Sequence, residues 1–271
     1  MPAFLLQITL YKYSVSSSAV VHMRKVQPPS KSNYDGKINV FIISFNRVAW
    51  LPNMVKDIFA MDYVGEVYIL DNASTYPPLL EYYKQTPAKV IYLDKNMGHK
   101  SPWLSGVIEQ LATQYYVVTD PDLSLAGMPT NCLLHLIKGY ERYKHLNINK
   151  AGLGLEIKDL PQTKHTEFVR KFETEHMWQR PLDPEFFSAT CDTTFAVYNK
   201  YNFVWDIDPQ THVDFTHGIR SNYPYVAKHM PWYDNPESPS EEDLFVWSAV
   251  RLDSAGWTAE KAVQYGGRGK Q

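Results

Sequence analysis

Four apolar runs that read as buried strands alternate with segments of helical spacing along the first half of the chain. The first, Ile38-Asn39-Val40-Phe41-Ile42-Ile43, is followed over residues 49–61 by Leu51, Val55, Ile58 and Phe59 at helical intervals. Val67-Tyr68-Ile69-Leu70 is the second strand, with a short helix from Leu79 to Tyr83 behind it. Val90-Ile91-Tyr92-Leu93 is the third, with a helix from Trp103 to Ala112, and Tyr115 to Thr119 is the fourth. Strands that are apolar on both faces need cover on both faces. Strand-helix alternation joins neighbouring strands in parallel through right-handed crossovers. The expected architecture is α/β, with a mostly parallel sheet and helices on both faces.

Such sheets collect ligands at the carboxyl ends of their strands, and there the polar residues of this chain gather. Ser44-Phe45-Asn46-Arg47 follows the first strand, Asp71-Asn72-Ala73-Ser74 the second, Asp94-Lys95-Asn96-Met97-Gly98-His99-Lys100 the third and Asp120-Pro121-Asp122 the fourth. Asp71 suits the hydrogen-bond donors of a base or ribose, Arg47 or Lys100 suits phosphate, and Gly98 lets backbone approach a ligand closely. Asp120 and Asp122, held apart by a stiff proline, can grip a divalent cation while leaving positions for phosphate oxygens and water. Taken singly these residues are also ordinary turn formers, helix caps and solvated charges. Four coincident strand ends favour one shared site.

Charge and cysteine usage narrow the classes. The 271 residues carry 27 Lys and Arg against 29 Asp and Glu, so no global field draws nucleic acid or an anionic membrane. Cys132 and Cys191 match no zinc spacing and fit free thiols in a reducing compartment, for which a cytoplasmic location is expected. Phe4-Leu5-Leu6 and Ala19-Val20-Val21 are too interrupted to span a membrane, and Arg24 and Lys25 follow these runs rather than precede them, unlike a signal peptide. Residues 1–36 read as an extension ending in Gln27-Pro28-Pro29-Ser30-Lys31-Ser32-Asn33, residues 37–260 as a single domain and residues 261–271 as a flexible tail.

In order along the chain, Ile42-Ile43-Ser44-Phe45-Asn46-Arg47, then Tyr68-Ile69-Leu70-Asp71-Asn72-Ala73-Ser74, then Asn96-Met97-Gly98, then Val118-Thr119-Asp120-Pro121-Asp122 resemble the nucleotide-sugar half of GT-A fold glycosyltransferases, particularly the large inverting family 2. The resemblance covers residues 38 to about 125. It implies a Rossmann-like sheet, a nucleotide-sugar donor, with uridine diphosphate favoured, and a glycan or other hydroxyl acceptor. It implies that residues 37–125 form the donor half and 126–260 an irregular acceptor half. It also implies that Ser44, Asn46, Arg47, Asp71, Asn72, Asn96, Gly98, Lys100 and Asp120 line the nucleotide, with Asp71 at the base or ribose. Asp120 and Asp122 would serve the ribose and a Mn2+ or Mg2+ ion.

The second half is less regular. Ala151-Gly152-Leu153-Gly154-Leu155-Glu156-Ile157 reads as a glycine-bearing strand, residues 165–179 as an amphipathic helix, and Thr190 to Tyr198 as a buried strand carrying Asp192. An acid in such a strand either bonds its Thr193 and Thr194 neighbours or lies on the donor-acceptor seam. Asp192 is therefore the expected base, with Glu156 and Asp214 behind it. The Glu-Asp pair usual in the resembling family is not at a recognisable position. That family often draws a late histidine to its metal or diphosphate, and His229 is the candidate, His217 the second. Trp178, Trp205, Trp232 and Tyr233 suit sugar rings or the core. The segment Val117 to Ser124 also resembles the nucleophile loop of haloacid-dehalogenase-like phosphatases, although three strand-helix units precede it. A non-catalytic nucleotide-sugar-binding relative is the third reading.

Overall fold

The structure, a computed structural model, describes residues 36–202, 216–235 and 238–249. The N-terminal extension, the C-terminal tail, Trp205 and Asp214 lie outside the described residues. The chain runs through β1 (Ile38–Ser44), α1 (Leu51–Phe59), β2 (Val64–Asp71), α2 (Pro77–Tyr83), β3 (Lys89–Tyr92), α3 (Ser101–Leu104), α4 (Val107–Leu111), β4 (Tyr115–Thr119) and β5 (Leu123–Ser124). It continues through α5 (Cys132–Tyr143), β6 (Lys150–Gly152), β7 (Gly154–Leu155), α6 (Lys164–Phe172), β8 (Phe186–Ser188), β9 (Ala196–Asn199), β10 (Gly218–Ser221), β11 (Val226–His229) and α7 (Glu241–Ala249).

The large sheet has the order β3-β2-β1-β4-β9-β6-β10-β8. Its first four strands are parallel, as the alternation predicts. β9 then runs antiparallel to both β4 and β6, β10 lies parallel to β6, and β8 closes the far edge antiparallel. The two-residue period of β1 divides its side chains between two cores. Val40 and Ile42 pack with Leu51, Val55 and Ile58 of α1 and with the buried face of α5, whereas Phe41 and Ile43 pack with Trp103, Val107 and Ile108 on the opposite face. Each such fully buried aliphatic side chain stabilises the fold by roughly 1.5–3 kcal/mol. A second sheet, β5-β11-β7, lies beyond the carboxyl end of β4.

Several elements depart from the sequence reading. The helix expected from Trp103 to Ala112 is two short helices, because Gly106 takes a left-handed φ of 75° between them. The strand expected from Ala151 to Ile157 splits, with β6 in the large sheet and β7 crossing to pair with β11. The helix expected over residues 165–179 stops at Phe172 and continues as a π-helical turn, Glu173–Met177. Glu173 in that turn is buried against Arg220 at 2.9 Å. The buried strand expected from Thr190 is a strand only from Ala196; Asp192 is exposed, in the loop that precedes it. Among the described residues no helix is long and apolar enough to cross a membrane.

Candidate functional site

The loops after β1 and β2 are bonded to each other before any ligand is considered. The Ser44 carbonyl accepts the Asn72 amide at 2.9 Å, and Asn46 donates its amide to Ser74 Oγ at 2.9 Å. Asn46 Oδ1 accepts the amides of Thr75 and Tyr76 at 2.7 and 3.0 Å. Asn46 and Ala73 both stand in the left-handed region, at φ 53° and 58°, a conformation that residues other than glycine rarely adopt. The Asp71 carboxylate accepts the Ser74 amide at 3.1 Å, and the Tyr83 hydroxyl lies 3.0 Å from Asp71 Oδ1 and 2.9 Å from Ser44 Oγ. Asn72 ties in the third loop, its Oδ1 accepting the Met97 amide at 3.1 Å and its Nδ2 donating to Ser101 Oγ at 3.2 Å. Ser44, Asn46, Asp71 and Asn72 are thus buried and bonded among themselves. Asn96 and Gly98 are exposed and Lys100 half-buried at the rim. Gly98 has φ 69°, and nothing lies within 4 Å of where a Cβ would be.

Asp120 follows directly on β4, and both its oxygens accept the Thr193 hydroxyl, at 2.9 and 2.8 Å. Its amide donates to the Thr193 carbonyl at 3.1 Å. Burial, together with the negative charges of Asp122 and Asp192, pushes the Asp120 carboxyl well above the usual carboxylate range, against the pull of Thr193 and Lys150. The charges of Asp122 and Asp192 thus disfavour the charged form of the buried Asp120 carboxyl.

The antiparallel pairing of β11 with β5 sets His229 opposite Leu123 and lets the Met230 amide donate to the Asp122 carbonyl at 2.9 Å. That register places His229 Nε2 3.7 Å from Asp122 Oδ1. Asp122 Oδ1 and His229 Nδ1 are buried without a hydrogen-bond partner, and burial lowers the histidine's pKa, keeping the imidazole neutral. No group of three or more His, Cys, Asp or Glu side chains among the described residues is arranged to hold a metal. The Asp122 carboxylate, with its unbonded oxygen, and the neutral imidazole whose Nε2 faces it nevertheless suit a small divalent ion that takes its remaining ligands from phosphate and water.

Two acids that the sequence reading passed over complete the rim. Arg47 donates to Asp243 Oδ1 at 2.9 Å, and Glu242 Oε2 accepts the backbone amides of Val48 and Ala49 at 2.6 and 3.0 Å. Burial alone would lower the Arg47 pKa, but Asp122, Asp243 and Glu242 outweigh it and raise it. Asp234, half-buried, has its carboxyl raised by burial and by Asp243. Glu242 and Asp243 are adjacent in sequence, and the packing of α7 brings them to the loop after β1. The acid run Glu241-Glu242-Asp243 opening a helix was the available signal.

Other expected residues do not join. Glu156 is held at a distance by the Tyr223 hydroxyl at 2.5 Å and the Lys158 amide at 2.7 Å. His217 is exposed just before β10, where Gly218 pairs with Lys150 at the start of β6, away from the carboxyl ends. Trp178, half-buried, stacks on Tyr223 and packs against Gly154.

No family model and no curated protein matches the chain. Among solved structures, glucosyl-3-phosphoglycerate synthase from Mycobacterium tuberculosis, in complex with Mn2+, uridine-diphosphate-glucose and phosphoglyceric acid, is similar over 60% of this chain and 56% of its own, with 15% identity and a TM-score of 0.40. S. aureus TarS is similar over 72% of this chain and 36% of its own, with 12% identity and a TM-score of 0.44. The chain thus spans little more than half of the synthase and about a third of TarS.

Proposed function

We propose that this chain is a metal-dependent glycosyltransferase that moves a sugar from a nucleoside-diphosphate sugar to a hydroxyl acceptor with inversion at C1. The observation that carries the reading is the approach of His229 Nε2 to Asp122 Oδ1, 3.7 Å apart just past the end of β4, with that carboxylate oxygen buried and unbonded. The ordered resemblance of residues 38–125 supports it. Asp122 and His229 would hold the ion, with Asp120 beside them. A bound divalent ion supplies positive charge against the diphosphate as negative charge develops on it.

The donor's base and ribose would lie along the β1 and β2 ends, over Asp71 and Asn72, with Arg47 and Lys100 toward the phosphates. Asp192 is the proposed base. It is exposed, so an acceptor can reach it, and its neighbour Thr193 ties it to Asp120. Its carboxylate would take the proton of the acceptor hydroxyl as that oxygen bonds to C1 from the face opposite the diphosphate. The bond from C1 to the phosphate oxygen breaks, and its electron pair leaves with the nucleotide. The phosphatase alternative asks the Asp120 carboxylate to attack phosphate, yet both its oxygens accept from Thr193.

A thermal-unfolding panel of nucleotide sugars with and without Mn2+ tests the reading. A donor at about 100 times its Kd should stabilise the fold by about 2.7 kcal/mol. Release of nucleoside diphosphate from the best binder should follow. A protein that no nucleotide sugar stabilises in the presence of Mn2+ or Mg2+ would defeat the proposal.

A further inference from the structure

Lys150 is fully buried at the start of β6, where its cross-strand neighbours are Tyr198 and Gly218. An ammonium in that position is expensive, and an apolar side chain would fill the space without the cost of desolvation. Its Nζ donates to the Asp192 carbonyl at 2.9 Å and to the Tyr198 hydroxyl at 3.1 Å. The first of these bonds reaches the loop that carries the proposed base. Arg220, also buried, donates from Nε to the Thr190 carbonyl at 2.8 Å, so two buried cations hold the segment 190–192 from beneath. The next residue, Thr193, meets Asp120 through both its hydroxyl and its carbonyl. A continuous path thus runs from Lys150 through the Asp192 backbone and Thr193 to the Asp120 carboxylate.

We infer that Lys150 is a positioning residue of the acidic site: by gripping the Asp192 carbonyl it sets where the Asp192 carboxylate and the Thr193 hydroxyl stand relative to Asp120. The structural part of this inference stands alone, while its consequence for donor binding rests on the proposed function. Lys150 touches neither donor nor acceptor in this arrangement. It acts through the backbone of the loop above it.

Lys150→Met keeps an unbranched stem, one bond shorter than lysine, and removes the donor. Hydrogen exchange read by mass spectrometry is expected to show protection falling in peptides spanning 117–122 and 190–196. These contain the Asp120 amide bonded to Thr193 and the Phe195 amide bonded to Thr119 Oγ1. The expected fall is roughly 10- to 100-fold, the range that loss of one charge-assisted hydrogen bond converts to, with β1 and β2 unchanged. Binding of UDP with Mn2+, measured by calorimetry per folded molecule, is expected to weaken by a similar factor. Combination with Thr193→Val should be less than additive, since both changes break the same path.

Unchanged protection in the two segments, or an equal loss throughout β1 and β2, would make Lys150 an ordinary core residue and overturn the inference. Additivity with Thr193→Val would do the same. Wild-type protein that fails to bind UDP with Mn2+ would instead overturn the proposed donor site, and the exchange data would then decide the case of Lys150 independently. Should the methionine variant not fold, Lys150→Gln, one bond too short to reach the Asp192 carbonyl, carries the same comparison.

Discussion

Thr193 donates its hydroxyl to both oxygens of the Asp120 carboxylate, at 2.9 and 2.8 Å, while its carbonyl accepts the Asp120 amide at 3.1 Å. This contact joins residues 73 positions apart and fastens the loop before β9 to the acidic loop after β4. The two halves of the chain meet there. Asp192, one residue earlier, is exposed beside the meeting point.

Asp122→Ala should leave the fold intact and remove the Mn2+-dependent part of UDP binding. The residue lies in the short segment between β4 and β5, and its Oδ1 has no hydrogen bond to lose. Thermal unfolding should show an unchanged midpoint without ligand and no Mn2+-dependent gain with UDP. Binding at wild-type affinity would remove Asp122 from the metal site.

Asp192→Asn should lower transfer by roughly 10²–10⁴-fold, the usual cost of losing a general base. Because Asp192 is exposed rather than buried in a strand, stability should change by no more than about 0.5 kcal/mol. Steady-state rates and a urea melt on the same preparation check both parts. Near wild-type transfer would turn attention to Asp234 and Asp243, the carboxylates of the opposite rim.

Stability should carry the mark of Lys150 at high pH. Burial pulls its pKa from 10.5 down to about 8, against the pull of Cys191, Asp192 and Asp120. Between those values the unfolded chain binds the proton more tightly than the folded one, so folding stability rises with pH across this window. The burial cost is fully present below about pH 8 and is relieved as pH approaches 10.5. The fall corresponds to about 3 kcal/mol. Urea melts of Lys150→Met and wild type should therefore show the variant's relative stability declining from pH 7 to pH 10.5. A pH-independent difference would contradict a protonated, buried lysine.

Glu242→Gln should destabilise the fold by about 1–3 kcal/mol, because the buried Glu242 carboxylate accepts the Val48 and Ala49 amides and the amide side chain offers one acceptor oxygen without charge. The loss should appear as a lower midpoint in urea with an unchanged slope. An unaltered midpoint would mean that α7 adds little to the loop after β1.

The four parallel strands and the polar residues at their ends were legible because a strand buried on both faces must be apolar throughout, and its end must return to polar backbone and side chains. Asp120 and Asp122 were visible for that reason, and so was a late histidine as a candidate. The limits of β9 were not legible. Thr190 to Phe195 carry enough threonine and aromatic character to read as strand, yet their backbone bonds go to the Asp120 amide, to Thr216 and to the Leu153 amide. Propensity describes a local preference, which a distant partner can override.

Hydrophobic periodicity and chain direction alone suffice for the parallel sheet, the side on which its polar loops emerge and the chemical types gathered there. Which distant residues meet at those loops depends on how the whole chain closes. The pairing of β11 with β5 brings His229 to Asp122, the docking of α7 brings Glu242 and Asp243 to the end of β1, and the burial of Lys150 places a cation under Asp192. Those contacts join residues between 42 and 196 positions apart. Their energy arises from charges and hydrogen bonds that exist only once the chain has closed on itself, and no local pattern records them.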